Sequence, residues 1–319
     1  MSPARALGVG LLGLGTVGSA VARAFAERSR HLDDAAGRPL RLVAAAVRDP
    51  ARPRDAGDVP VTADAFAILD DPAIDVVIEV IGGTEPARDL HLAAFERGKH
   101  VVTANKELVA KEWDALHEAA RQAKRQLRFE AAVAAAVPVI AGARTLGASR
   151  LVAVRGLLNG TSTFICSRLE AGGTFDEALL EAQRAGYAEA DPSNDVDGLD
   201  AAYKLAILLD LLGHRTHPDE IARTSLRGLD GTALRSALAR GRTVRSLAVA
   251  DLDGRRLRAR VGPEEVAADS PEGRASGPTN VVTIETDLAG TLTFQGPGAG
   301  GAATASAVLG DVLAIARAA

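Results

Sequence analysis

Cysteine occurs once in the 319 residues, as Cys166. A single thiol excludes an internal disulfide framework and most cysteine-built metal sites. Lysine is nearly as scarce: Lys99, Lys106, Lys111, Lys124 and Lys204 stand against 32 arginines. Arginine is therefore the default surface cation, and a lysine in an apolar or strand-end setting is less readily an arbitrary surface charge. No apolar run reaches the roughly 20 residues that cross a bilayer. The opening MSPARALGVGLLGLG lacks a cleavable signal pattern. A net charge of -4 offers no support for a nucleic-acid or membrane-surface partner. What is present, 47% hydrophobic and 24% charged residues over this length, suits a cytoplasmic globular protein of two domains.

The first half alternates strand-like and helical segments. ALGVGLL is a short apolar run, GLGTVG a glycine turn, and SAVARAFAER a helical pattern. Gly13, Gly15 and Gly18 have the G-x-G-x-x-G spacing: tight turn, backbone approach to a pyrophosphate, and close helix packing. Thr16 and Val17 open the helix whose amino end would face the phosphates. RLVAAAV, AIDVVIEVIG and KHVVT read as further strands. In the helical stretch TEPARDLHLAAFERG between the last two, Thr84 is placed to cap and Gly98 to terminate. Continuous Val/Ile runs separated by helices predict a buried parallel sheet, which binds ligands beyond its carboxyl ends. The second strand ends in Arg48 and Asp49. An acid there suits the ribose of NAD and an arginine the 2′-phosphate of NADP, and NADP through Arg48 is favoured over a plain solvated arginine. Thr103 closes a strand in VVTANKELVAKEWDAL; Lys106 follows on the ligand edge, and Glu107 opens a helix running to about Gln126.

The rhythm stops after LRFEAAVAAAVPVIAGARTLGA. RLVAVRGLLNG reads as a strand and TSTFICSRLEAG as the helix after it; Thr174 and Glu177 form a capping box for the next helix, which Gly186 can close. Residues 187–204, YAEADPSNDVDGLDAAYK, then crowd Glu189, Asp191, Asp195, Asp197 and Asp200 before Lys204. Lys204 and Asp200 lie four apart on a helix that is apolar nearly all round and hence buried. The pair reads as either structural or, with Glu189, Asp191 and Asp195 converging from the loop, a proton-transfer or carbonyl-polarising site. DPSNDVDG lacks the glycine placement and terminal glutamate of a calcium loop, and His214 and His217 read as surface residues.

These segments together resemble homoserine dehydrogenase. GLGTVG, VVTANK, GLLNGTSTFI, GYAEADPSNDVDGLDAAYKLAIL and GPGAGGAATASAVLGDV occur in the family's order and span nearly the whole chain. The resemblance implies an α/β chain. A Rossmann-type doubly wound sheet domain would use residues 1–135 plus 301–319, and an α+β catalytic and dimerisation domain residues 136–300, with NVVTIETD in the contact of a homodimer. It implies reversible hydride transfer between NAD(P)H and L-aspartate 4-semialdehyde, giving L-homoserine. Lys204 would be the acid/base group, supported by Asp200, with Lys106 beside the carbonyl and cofactor. Glu189 and Asp195 would hold the substrate ammonium, and Asn159, Gly160 and Thr161 would line the pocket. Gly13, Gly15, Thr16, Val17, Gly18, Arg48, Thr103, Lys106 and Gly298 would hold the cofactor.

The family's monovalent-cation site, for Na+ or a similar ion, maps to Glu130 with the carbonyls of Val133, Ala135 and Val137. Ala134 and Ala136 stand where relatives often have glycine; if that backbone has positive φ, alanine there would be strained, which tells against the cation site. Thr163 and Phe164 stand where Asn and Tyr are more usual. Some relatives carry a C-terminal threonine-sensing ACT domain; this chain ends at Ala319, so none is expected and threonine should have little effect. Open beside this reading are a dehydrogenase for another small amino or oxo acid and a cofactor-binding sensor without turnover. A phosphorylating semialdehyde dehydrogenase needs a nucleophilic cysteine, and Cys166 falls inside a predicted helix.

Overall fold

The computed structural model describes residues 5–52, 57–185, 187–254 and 256–318. Gly186, the expected helix terminator, lies outside the described residues. The chain divides into two compact units, Met1–Ala136 with Gly300–Ala319, and Val137–Ala299.

The first unit is built on β1 (Leu7–Leu12), β2 (Leu40–Ala46), β3 (Val61–Thr62), β4 (Val76–Glu79), β5 (His100–Thr103) and β6 (Leu127–Arg128). They pair in the order β3-β2-β1-β4-β5-β6, each pairing parallel. The order reverses between β1 and β4, where sheets of this kind bind ligands. Register brings the strand ends level: Leu12 pairs with Glu79, and Glu79 with Thr103. Val9, Leu11, Val76, Ile78 and Val102 form a core with Val21 and Phe25 of the helix Thr16–Glu27 and with Val308, Val312 and Ile315 of the helix Gly301–Ala318. Each such side chain contributes about 1.5–3 kcal/mol through removal from water. The helix Gly301–Ala318 also has the length and hydropathy of a membrane span, but its apolar residues are spent on this core.

Two local expectations fail here. The helix Ala87–Glu96 takes no side-chain cap from Thr84; its cap position is Pro86, and Thr84 contributes only its carbonyl, to Arg88 N. The helix expected through Gln126 is broken at Glu112 into Lys106–Lys111 and Trp113–Gln122. Its carboxyl end comes early because Lys124 turns into the left-handed region, φ 53°.

The second unit holds β7 (Leu151–Leu157), β8 (Ala222–Arg223), β9 (Arg242–Asp253), β10 (Arg256–Ala267), β11 (Thr279–Thr286) and β12 (Gly290–Pro297). Their order is β12-β11-β7-β9-β10-β8, antiparallel throughout except for β10 with β8. The helices Gly160–Glu170, Phe175–Arg184 and Gly231–Ala239 share a core of Ile165, Leu169, Ala178, Leu234 and Ala237 with Val244 of β9. The Thr174–Glu177 capping box is formed at the start of Phe175–Arg184. Leu199–Leu211 is buried without interruption from Asp200 to Asp210, as an all-round apolar helix should be.

Candidate active site

In the first unit the glycine turn has the form that a pyrophosphate requires. Gly13 has φ +104°, and a Cβ there would meet the Val80 carbonyl oxygen at 3.0 Å. A Cβ on Gly18 would fall 2.0 Å from the Gly13 carbonyl oxygen, so helix and turn touch only because Gly18 lacks one. Above Gly15 the space is open to 4 Å. The helix opening with Thr16 and Val17 takes no side-chain cap at Gly15 among the described residues, which leaves its first amides for an anion. These residues fit a dinucleotide phosphate. Arg48 is exposed just beyond β2, while the Asp49 carboxylate accepts a bond from Ala51 N at 3.0 Å. Lys106 begins its helix at the carboxyl end of β5, after the Asn105 cap.

The second unit gathers a tight polar cluster in an apolar setting. Lys204 and Asp200 are both more than nine-tenths buried. Lys204 Nζ donates to Asp200 Oδ2 at 2.7 Å and to the Leu158 carbonyl at 2.6 Å. Asn159 Nδ2 donates to Asp195 Oδ1 at 2.7 Å and to Asp200 Oδ2 at 3.0 Å. Asn159 Oδ1 meanwhile caps the helix Gly160–Glu170, accepting from Ser162 N and Oγ. Burial pushes the Asp195 carboxyl above its ordinary range and the Asp200 charge adds to this; bonds from Asn159 and Thr161 and the Lys204 charge oppose it. Thr161 Oγ1 donates to the Tyr187 carbonyl at 2.7 Å, tying the acidic loop to the helix start. Gly160 sits against Pro278. A buried ammonium held by a carboxylate and a carbonyl, with a second carboxyl group beside it, can stabilise a developing oxyanion and exchange a proton with it.

Comparison with known proteins bears on each of these two arrangements. Residues 13–130 match the family model described as "Homoserine dehydrogenase, NAD binding domain", and residues 138–313 match "Homoserine dehydrogenase". A homoserine dehydrogenase of Corynebacterium glutamicum is 41% identical over 325 residues, 99% of this chain and 73% of that one. This chain belongs to the homoserine dehydrogenase family.

A homoserine dehydrogenase of Synechocystis is also 41% identical, over 96% of this chain and 72% of the relative. The solved homoserine dehydrogenase of Thiobacillus denitrificans has a TM-score of 0.93 at 39% identity, covering 98% of this chain and 74% of that chain. A hyperthermophilic archaeal homoserine dehydrogenase in complex with NADPH has a TM-score of 0.82 at 28% identity, covering 97% of each. Homoserine dehydrogenases are nicotinamide-dependent oxidoreductases that interconvert L-aspartate 4-semialdehyde and L-homoserine in amino-acid biosynthesis, and this chain is an enzyme of that kind.

The acidic loop divides its labour more finely than composition suggests. Asp195 shares the Asn159 amide with Asp200, the partner of Lys204. Asp191, expected to converge with them, is exposed and turns its carboxylate onto Ser193 N at 3.0 Å. Asp197 binds Ser225 Oγ and Arg227. Glu189 is exposed, its carbonyl accepting from Gln183 Nε2. Sequence reasoning missed Ser162 and the Leu158 carbonyl; the position of Asn159 directly before a helix is the signal that would have found Ser162. Gly298 follows β12, where a Cβ would overlap the Asn280 side chain at 2.0 Å. In the run suggested for a cation, Glu130 N donates to Asp311 and Val133 is fully buried. Ala134 and Ala135, not Ala136, take positive φ, +58° and +47°. Val137 is the first residue of the second unit.

Proposed function

We propose that Lys204 is the proton-transfer group of the reaction and that Asp200 holds it charged and aimed. The observation that carries this reading is the buried Lys204–Asp200 pair at 2.7 Å with the Leu158 carbonyl as second acceptor. A nicotinamide, when bound, supplies or accepts the hydride at the aldehyde carbon. The protein's part is the other half of the balance: in reduction the Lys204 ammonium gives its proton to the developing alkoxide, and in oxidation the amine takes it from the homoserine hydroxyl. Lys106, at the end of β5, serves the cofactor and the carbonyl. Asp195 and Glu189 hold the substrate ammonium, and Asn159, Gly160 and Thr161 shape the pocket.

The cofactor is held by Gly13, Gly15, Thr16, Val17, Gly18, Thr103, Lys106 and Gly298, and NADP is the better cofactor through Arg48. Support for this preference is that Arg48 is exposed at the end of β2 while Asp49 is engaged by its own turn. The sheet unit is the dinucleotide-binding domain and the other the substrate and dimerisation domain. The chain works as a cytoplasmic homodimer. Glu130 with the carbonyls of Val133, Ala135 and Val137 takes a monovalent cation such as Na+, its turn adopting the left-handed backbone despite alanine.

The test follows nicotinamide absorbance with L-homoserine and NADP, then NAD, for the parent chain and Lys204→Ala. Turnover by the parent and its near-loss in the variant, with cofactor binding retained, supports the assignment. Equal turnover in both would refute it.

A further inference from the structure

Glu79 is the last residue of β4, and its side chain is fully buried. Burying a carboxylate is costly unless its lone pairs are filled, and a leucine would serve a core better. Here they are filled from both neighbouring loops. Oε1 accepts from Ile81 N at 2.7 Å and Gly82 N at 3.1 Å. Oε2 accepts from Thr103 Oγ1 at 2.8 Å and meets His91 Nε2 at 3.1 Å. Thr103 in turn accepts from Asn105 N at 2.9 Å, and Asn105 Nδ2 donates to the Gly83 carbonyl at 2.6 Å. His91 is also buried, and its Nδ1 has no partner among the described residues, so its one polar contact is spent on Glu79.

The segment held in this way is not a remote one. Val80 N donates to the Leu12 carbonyl, and Val80 and Ile81 are the atoms that a Cβ on Gly13 would strike. Beyond them Gly82 and Gly83 are both left-handed, and the Ile81 side chain is 44% exposed, unusual for a large apolar residue at a sheet edge. Glu79 holds this loop directly against the glycine turn and couples it to the start of the Lys106 helix.

We propose that Glu79 is a positioning residue for the dinucleotide: its contacts with Ile81, Gly82 and Thr103 set the loop Val80–Gly83 and the Asn105 turn as one wall of the cofactor site, with Ile81 as its apolar face. This rests on reading the Gly13–Gly18 turn as the pyrophosphate site. Glu79 touches no reacting atom; it acts through backbone that it holds.

The experiment measures NADPH binding to the full chain by nicotinamide fluorescence, with the melting temperature of the unliganded chain and steady-state KM and kcat alongside. The variants are Glu79→Leu, Glu79→Gln, Thr103→Val and Thr103→Ser. Glu79→Leu should weaken NADPH binding by about tenfold or more, because two loop amides lose a charged acceptor. Glu79→Gln keeps an oxygen for those amides and should stay within about threefold of the parent. Cofactor KM should rise more than kcat falls. If Glu79→Leu does not fold, Thr103→Val decides: weaker NADPH binding, restored in Thr103→Ser, supports the role. Folded Glu79→Leu and Thr103→Val chains that bind NADPH as the parent does overturn the inference, as does a lowered melting temperature with unchanged binding. Failure of the parent chain to bind NADPH would instead overturn the cofactor reading itself, and this inference with it.

Discussion

Lys204 Nζ and Asp200 Oδ2 are 2.7 Å apart across one turn of a helix on which every residue from 200 to 210 is buried. An ion pair with so little solvent around it is weak evidence for stability, because desolvation offsets its Coulombic gain. Breaking it by removing one partner, however, leaves the other charge stranded. The pair is therefore better explained by what it does than by what it stabilises.

Lys204→Ala should lower kcat by about 10²–10⁴-fold, the usual range for a lost general acid or base. NADPH binding should stay near that of the parent. Asp200→Asn keeps the volume and an acceptor but removes the charge, so its kcat should fall less far. Single-turnover absorbance with homoserine separates the two. A Lys204→Ala chain with parental kcat would remove Lys204 from the chemistry.

Asp195 supplies a pH dependence. Its carboxyl is held above the ordinary aspartate range by burial, helped by Asp200. If the carboxylate form holds the substrate ammonium, kcat/KM for homoserine should fall on acidification through that raised pKa, above the pH expected of an exposed aspartate. The stability consequence has the opposite sign to that of a salt-bridged acid. A raised folded pKa makes the ionised carboxylate a cost at neutral pH, and that cost disappears below the unfolded pKa of about 4. Asp195→Asn should accordingly bind homoserine poorly yet melt higher than the parent at neutral pH, with the difference closing towards about pH 4. An unchanged acid limb in the variant would contradict the assignment.

Cys166 should be chemically silent. It is fully buried, and desolvation pushes its thiol up to about 12. Iodoacetamide at about pH 9, where an ordinary thiol is largely thiolate, should label it only after unfolding in guanidinium. Mass spectrometry of the native and denatured chains reads this directly. Rapid native labelling would mean that the helix Gly160–Glu170 opens.

Lys124 and the Ala134–Ala135 pair offer a stability test. Lys124 is exposed with φ 53°, just past the helix Trp113–Gln122. Lys124→Gly should stabilise by about 1 kcal/mol, the left-handed cost of a side chain, and raise the melting temperature by about 2–4 °C. Ala134→Gly relieves the same cost but loses a buried methyl worth about 0.8 kcal/mol, so its gain should be smaller. Calorimetry on both variants checks the order.

Much of the candidate site's local geometry was readable because its signals are local. The glycine spacing, the strand-to-helix alternation, the Thr174–Glu177 box and the Asp200–Lys204 spacing all act over a few residues, where turn and helix geometry leave little choice. The scarcity of lysine was a less reliable guide. It weighed towards a role for Lys106, but Lys99 is also buried, and among the described residues its ammonium donates to the Asp71 and Ile74 carbonyls at the other end of the sheet.

Composition and periodicity by themselves determined that this chain would form a parallel sheet with a phosphate-type turn, and a buried helix carrying one ammonium, Lys204, and two carboxylates, Asp200 and Asp210. Tertiary structure alone decided what each acid of the loop touches. Asp191, Asp195 and Asp197 are indistinguishable by type and nearly so by position; their roles separate because Asn159, Ser193 and Ser225 with Arg227 each claim one. It also decided what Glu79 and His91 are for, twelve residues apart in the chain and joined only when β4 and its following helix fold together. Hydrogen bonds between side chains remote in sequence depend on angles and distances that no local pattern encodes, so they become visible only once the chain has packed.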